Sequence, residues 1–374
     1  MAKQNRTDTN ARVAALLREL AAVQPTRQKK WAYRRAADAV LALDQPLEAL
    51  LNRDGTLRKI AQVGPSSERV ILEVLRTGTS ETVTRALADA GSPTAATPGA
   101  SGTGADDAHF LSVARVAAIL ADDSLAAVTR EDYRGDFQMH STWSDGRVSI
   151  AEMARACRQR GYAFCAMTDH SYGLPIAHGV SMADLRRQHQ EIDTLNRRSR
   201  GRFRIFKGIE ANILGDGRLD MTADELAEME LVVASPHSAL RSDADQTARM
   251  LAAVSTPGVH ILGHPRGRQI GSRPGITVNW TRVFERAAAT GVAIEIDGDP
   301  RRQDVDYTLA AQAYAAGCFI AVDSDAHAPD ELAFADIALA HARLAGLPPS
   351  RIVNCWPTEH LLEWMRLRST ASGR

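Results

Sequence analysis

Five of the eleven histidines, His140, His170, His237, His264 and His327, occupy one kind of position. Each lies at or just past the end of a short apolar run that reads as a strand, and Asp145, Glu210 and Asp325 occupy similar positions. The first run leads through Asp136-Phe137-Gln138-Met139-His140 to Asp145-Gly146, and six more follow at 163–170, 204–210, 231–237, 259–264, 292–297 and 319–327. A lone histidine is most often a satisfied core or surface residue. Histidines recurring at the same end of successive strands have no such explanation. Imidazole and carboxylate together suit Zn, Mn or Fe. Eight such groups exceed the needs of one ion with open positions and fit two or three divalent ions. His109, His178, His189, His260, His341 and His360 fall at no strand end and read as structural or surface residues.

The elements that must position these groups follow from the hydrophobic pattern. The runs are continuously apolar, as in parallel strands covered on both faces. Helical patterns separate them. Ser149-Ile150-Ala151-Glu152 and Thr222-Ala223-Asp224-Glu225 both read as capping boxes that start such helices. Seven strands, each followed by a helix, predict a β/α barrel, whose chemistry sits at the C-terminal strand ends. The 374 residues suffice for a barrel of about 200–250 residues and a small second domain.

Composition narrows the function classes. The 45 cationic and 45 acidic residues cancel, so the chain carries no global basic field. Cys157, Cys165, Cys318 and Cys355 form no CxxC pair and read as reduced thiols. The opening Met-Ala-Lys-Gln-Asn-Arg has no apolar segment, and no apolar run approaches membrane-spanning length. The expectation is a soluble cytoplasmic protein.

Before the barrel, residues 1–90 read as a small all-α module. Residues 1–10 are polar and expected to fray. Helical periodicity runs from Ala11 to Leu20 and from Lys30 to Leu43, the second with Trp31, Ala32, Ala36 and Val40 expected inward. Its other face carries Lys29, Lys30, Arg34 and Arg35, candidate contacts for a nucleic-acid backbone. Ala32-Tyr33-Arg34-Arg35-Ala36-Ala37, then 57–64, then 71–78, resemble the N-terminal helix-hairpin-helix domain of family X DNA polymerases. The resemblance is degenerate: where that family has Gly-x-Gly the chain has Gln62-Val63-Gly64. The family's lyase lysine falls near Arg69-Val70, which cannot form a Schiff base, so no lyase activity is expected. Residues 91–108 have the Gly, Ser, Thr, Ala and Pro composition of a flexible linker. They leave no room for a polymerase palm, and polymerase activity is not expected. The barrel domain is assigned to 109–374.

His140-Ser-Thr-Trp-Ser-Asp145-Gly146, Thr168-Asp169-His170, Gly208-Ile209-Glu210, Ser235-Pro236-His237, Gly263-His264-Pro265 and Asp325-Ala326-His327 together resemble the PHP family of polymerases and histidinol phosphatase. Glu295-Ile296-Asp297-Gly298 and Val353-Asn354 point to the PHP domain at the C-terminus of bacterial family X polymerases. The resemblance implies a distorted seven-stranded (β/α)7 barrel with a trinuclear site. It implies that Glu210 bridges two metals, that His140 and Asp325 share the first, that His237 and His264 hold the second, and that Asp145, His170 and His327 hold the third. Glu210, His140 and Asp325 are then the catalytic centre, and a hydroxide bridging two cations is the nucleophile. One departure is Gln138, where the family motif opens with histidine; an amide oxygen is the weaker ligand. Arg266 and Arg268 past His264, and Arg301 and Arg302 past the sixth strand, are expected at the rim as phosphate-binding groups.

Three readings compete. The first is a phosphodiesterase acting on DNA as a 3′–5′ exonuclease or end-processing enzyme, which would place it in DNA repair. The second is a phosphomonoesterase of histidinol-phosphatase type acting on a small phosphate ester. The third is a DNA-binding protein whose metal site Gln138 has degraded.

Overall fold

The computed structural model describes residues 8–91 and 109–370. The linker expected over 91–108, except Gly91, and the expected fraying of residues 1–7 lie outside the described residues. The chain forms two compact units, Met1–Asp122 with Ile270–Pro274, and Asp123–Gln269 with Gly275–Arg374.

The first unit contains helices α1 (Thr9–Ala22), α2 (Arg27–Leu41), α3 (Pro65–Thr77), α4 (Glu81–Asp89) and α5 (Val113–Leu120). Each start has a local cause. Asp8, Thr26, Ser80 and Ser112 accept backbone N–H bonds as N-caps, and α3 opens with Pro65 at its first position. Val13, Leu17, Leu20, Ala36, Val40, Leu47, Val70 and Ile71 form a closed core. Two expectations fail here. Trp31 is 54% exposed and Ala32 is also exposed, because α2 turns Ala36, Ala37 and Val40 inward instead. The helix α5, expected to lead into the barrel domain, groups with this unit: the Asp8 carboxylate accepts from the Ser112 N–H and hydroxyl, and Ala114 N–H donates to Leu43 O. Gln62, standing where the hairpin motif has glycine, adopts φ 65°. A side chain there costs about 1 kcal/mol, so the turn survives without its glycine.

The second unit alternates β1 (Gly135–Asp136), α6 (Ile150–Gln159), β2 (Phe164–Met167), α7 (Met182–Ser199), β3 (Arg204–Asn212), α8 (Ala223–Leu226), β4 (Leu231–Ser235), α9 (Thr247–Ser255), β5 (Ile261–Leu262), α10 (Trp280–Thr290), β6 (Ala293–Asp297), α11 (Tyr307–Ala315), β7 (Phe319–Asp323), α12 (Ala335–Leu344) and α13 (Thr358–Thr370). The strands form one parallel seven-stranded sheet in sequence order. Both expected capping boxes form, Ser149 with Glu152 and Thr222 with Glu225.

Period-two alternation sorts the strand residues. Phe164, Phe206, Leu231, Ile261, Ala293 and Ala321 pack together inside the barrel, and Val353, Trp356, Leu361, Trp364 and Met365 seal that apolar layer from the C-terminal segment. Two and four residues further along β6 come Glu295 and Asp297, and two and four beyond Ala321 come Asp323 and Asp325. The interior therefore changes from hydrocarbon to carboxylate toward the C-terminal strand ends. His260 and His341 are structural, as expected: His260 accepts from Val232 N–H and bonds to Met365 O, and His341 accepts from Tyr307 N–H.

The sheet is joined between its first and last strands partly by a side chain. Asn354 donates to Gly135 O at 3.0 Å and to Asp323 Oδ1 at 2.9 Å, and its Oδ1 accepts from Val322 N–H at 2.7 Å. Past the strands, Met139 and Ala326 form a parallel bridge. Asn354→Ala would leave several buried polar groups unpaired, each worth about 1–3 kcal/mol. We expect it to destabilise the barrel by about 3 kcal/mol; an unchanged urea midpoint would show that the strands close without it.

Candidate active site

The polar end of the barrel collects the residues singled out above. The β3 strand delivers Glu210, which is fully buried. Around its carboxylate lie His170 Nδ1 at 2.9 Å, His264 Nε2 at 2.8 Å, His237 Nε2 at 3.4 Å and His140 Nε2 at 3.5 Å. The His140 ring stacks between His170 at 4.4 Å and His327 at 4.3 Å. His140 Nε2 also lies 3.1 Å from Asp325 Oδ1. Asp145 Oδ1 sits 3.6 Å from His170 Nε2, 3.5 Å from His327 Nε2 and 3.9 Å from His140 Nδ1.

Two sets of donors converge closely enough to hold a cation: His140, Asp145, His170 and His327, and His170, Glu210 and His237, each within 4.8 Å. His140 thus stands with the Asp145 group as well as beside Asp325, and His170 belongs to both sets. The donor chemistry fits divalent metal. The Nδ1 atoms of His140 and His264 and both ring nitrogens of His237 are buried with no hydrogen-bond partner, as are both amide atoms of Gln138. Such groups are costly to bury unless something else is bound there.

Electrostatics follow from this crowding. Burial opposes charge on Glu210, but His170 and His237 outweigh it and hold the carboxyl well below its ordinary value. Burial likewise opposes the Asp145 carboxylate, and the His327 bond with the neighbouring His140 and His170 rings brings it down to about 2. Burial drives His237 down to about 4, so it is neutral and free to donate a lone pair. His327 resists its own burial through Asp145 and Asp325 and rises to about 9.

Backbone strain is concentrated here. His264 and Asp325 adopt φ 23° and 53°, the left-handed region that non-glycine residues avoid. The Glu295 carboxylate fixes one of them by accepting the His264 N–H at 2.5 Å. Glu295, Asp297 and Asp323 form a buried carboxylate layer beneath the site; burial first, then neighbouring carboxylates (Asp323 and Asp297 for Glu295, Asp325 for Asp297, Asp136 for Asp323), push all three well above the usual range. The Thr168-Asp169-His170 motif pointed at His170, yet Asp169 has a role that the pattern did not reveal. Its carboxylate accepts from Ser141 N–H at 2.8 Å, Ser144 Oγ at 2.5 Å and Gln188 Nε2 at 2.7 Å, fixing the loop that carries Asp145.

The four arginines expected at the rim divide. Arg302 alone faces the centre, with Nε 3.7 Å from Asp325 Oδ2 and 3.7 Å from Asp297 Oδ2. Although burial opposes it, those carboxylates keep its guanidinium firmly charged. Arg301 is exposed and pairs with Asp299 at 2.8 Å. Arg268 is not at the rim: it is buried, bonding to Arg302 O, Gln303 O and Asp306. Arg266 shares Asp306 at 3.2 Å. Sequence proximity to His264 misled for this pair, because the chain turns inward to brace the β6–α11 loop.

A barrel of parallel strands with histidines and acids gathered at its C-terminal mouth is the scaffold of a metal-dependent phosphoesterase. Comparison with known proteins agrees. The helix-hairpin-helix domain family matches residues 8–80. The chain is 40% identical over 206 residues to the DNA polymerase/3′-5′ exonuclease PolX of Bacillus subtilis, covering 55% of this chain and 36% of that protein. It thus spans about a third of that relative's length. It is 30% identical over 237 residues to a "Probable phosphatase" of Syntrophotalea carbinolica, covering 59% of this chain and 90% of that one. Among solved structures, the histidinol phosphate phosphatase of Lactococcus lactis, complexed with Zn, L-histidinol and phosphate, aligns at 15% identity and a TM-score of 0.41, over 64% of this chain and 94% of that one. The chain belongs to the PHP family of phosphoric ester hydrolases, joined to a helix-hairpin-helix module.

The geometry ranks the donors. Glu210→Ala should lower bound metal most, since four histidines meet that carboxylate. Asp169→Ala, acting through the Asp145 loop, should weaken metal affinity about 10–100-fold. Gln138→Ala should lower it least. Metal content per chain, measured after dialysis against buffered metal, checks the order; a Gln138→Ala protein as empty as Glu210→Ala would make Gln138 a full ligand.

Proposed function

We propose that the chain is a metal-dependent phosphodiesterase that processes DNA ends, acting as a 3′–5′ exonuclease. The observation that carries this reading is the sharing of Glu210 among His140, His170, His237 and His264, with Asp325 and Asp145 on either side. Such a set can hold two or three divalent ions, Zn, Mn or Fe, through His140, Asp145, His170, Glu210, His237, His264, Asp325 and His327, with Gln138 as a weaker ninth donor. When bound, these ions supply Lewis acidity: they lower the pKa of an attacking water and offset charge on the phosphoryl oxygens. The protein's own residues do the rest. Glu210 and Asp325 hold the histidine rings in place. Asp169 fixes the loop behind Asp145. Arg302 offers a charged fork to a phosphate oxygen.

The diester reading is supported by the helix-hairpin-helix match and by the similarity to a relative named as a 3′-5′ exonuclease. The second reading, phosphomonoester hydrolysis of a small metabolite, is favoured by one observation: the chain covers 90% of a relative named as a probable phosphatase. Nucleic acid is the partner in the first case and a small phosphate ester in the second. The test is direct. The metal-loaded protein should release mononucleotides from the 3′ end of a 5′-labelled single strand, and a chelator should stop it. Phosphate release from a phosphomonoester with no nucleotide release would establish the second reading.

Two variants refine it. Arg302→Ala should lower kcat/KM about thirtyfold, the worth of about 2 kcal/mol of charge-assisted bonding; an unchanged rate would remove Arg302 from phosphate binding. Lys29, Lys30, Arg34 and Arg35 have no acidic partner among the described residues, and all lie on α2. Lys30→Ala with Arg34→Ala should reduce the salt dependence of DNA binding by about one unit of slope per lost phosphate contact. Equal slopes for mutant and wild type would show that this face does not meet the backbone.

A further inference from the structure

The loop between β2 and α7 differs from every other feature of the mouth. From Ser171 to Ala183 it contains no charged residue. It nonetheless begins directly after His170, and its base is tied to the centre: Ser171 N–H donates to Glu210 O at 3.0 Å and Val180 N–H to His170 O at 2.7 Å. At its tip a short 3-10 turn, Pro175–Ala177, leaves Ile176 89% exposed, and Tyr172, four residues earlier in the same loop, is 38% exposed.

This exposure is built rather than incidental. The Ser171 hydroxyl donates to Asp220 at 2.6 Å, and the same carboxylate accepts from Asn212 N–H at 3.0 Å. Gly179 closes the loop so tightly that a Cβ there would lie 1.9 Å from Ser171 O. The Tyr172 hydroxyl donates to Glu225 at 3.0 Å, which fixes its ring. An aromatic ring and a branched aliphatic side chain are therefore presented to solvent by a loop that cannot easily fold them away. The loop holds no lysine or arginine, and its one titratable side chain other than Tyr172 is the exposed His178. Around the barrel, β6 lies three strands from β2 by way of β1 and β7, and its loop carries Arg301 and Arg302. The mouth thus has a side that carries arginines and a side, free of lysine and arginine over 171–183, that exposes Tyr172 and Ile176.

We propose that Tyr172 and Ile176 form a platform for the nucleobase of a nucleotide substrate whose phosphate lies at the histidine-carboxylate centre. The proposal rests on the phosphoesterase reading and adds that the substrate carries a flat apolar group. A base offers a π-face to any aromatic ring without demanding a particular sequence, which suits a platform with no hydrogen-bonding groups directed at a base edge. A sugar phosphate or a polyol phosphate has nothing to place there.

The test compares two ligands that share a phosphate and a sugar, thymidine 5′-monophosphate and deoxyribose 5-phosphate, binding to the metal-loaded full chain by calorimetry. Both ligands are used as their non-hydrolysable phosphonate analogues, so the comparison holds whether the enzyme cleaves diesters or monoesters. The wild type should bind the nucleotide about tenfold more tightly or better. Ile176→Ser and Tyr172→Ala should bring the ratio of the two dissociation constants close to one, while Tyr172→Phe, which keeps the ring, should preserve it. Equal affinities in the wild type, or a ratio unmoved by Ile176→Ser and Tyr172→Ala together, would overturn the platform. Failure to release nucleotides from DNA would instead overturn the exonuclease reading and leave this ratio as the measure of the platform.

Discussion

The barrel is arranged around one buried charge. Glu210 is fully enclosed, and a carboxylate in such surroundings is tolerable only when opposite charge or donors surround it. Here they come from four different loops, carrying His140, His170, His237 and His264. None of these loops is near β3 in sequence for more than one turn of the β/α repeat. Removing Glu210 would leave four imidazoles crowded with no common partner. Conversely, no one histidine could be placed without the strand that holds it at its level. The fold and the site are in this sense one constraint.

That constraint explains the vertical gradient inside the barrel. The lower layers are closed with Phe164, Phe206, Trp356 and Trp364, whose two indole N–H groups donate to Ser350 O and Gly291 O. Above them, Glu295, Asp297 and Asp323 are buried close together, and burial opposes charge on each of them. The raised pKa values of Glu295 and Asp323 favour protonated acids, which can donate as well as accept, whereas Arg302 beside Asp297 opposes its rise. Glu295 accepts the His264 N–H, and Asp323 accepts from Phe137 N–H and Asn354 Nδ2. They act as scaffolding for the strained backbone at His264 and for the junction between β1 and β7. Binding chemistry is kept for the layer above.

Much of this was legible in the sequence because it rests on period and position. A strand followed by a turn and a ligand-type residue, repeated, states both the barrel and the end at which chemistry occurs. What was not legible depends on side-chain direction after the strand ends. Arg266 and Arg268 follow His264 as closely as Arg302 follows Asp297, yet only Arg302 turns toward the centre; Asp306 captures the other two. Trp31 fits a helical inward stripe by spacing, but the small residues Ala36 and Ala37 determine which face of α2 can approach α1 closely. Asp169 was hidden because its partners, Ser141, Ser144 and Gln188, come from two other segments.

The two sides of the mouth show how a shared barrel can serve different esters. The strands fix the histidines and acids, and they can do so for any phosphate. Discrimination must then come from groups the strands do not fix, which are the loops. On the β6 side the loop is dense with charge, and Asp297, Asp299 and Asp325 hold the Arg302 guanidinium between them. On the β2 side the loop lacks lysine, arginine and acids over 171–183 and is anchored through Ser171 and Asp220. A phosphate alone would be indifferent to the second loop. On the proposed platform, a substrate with an apolar part extending from the phosphate would gain from both.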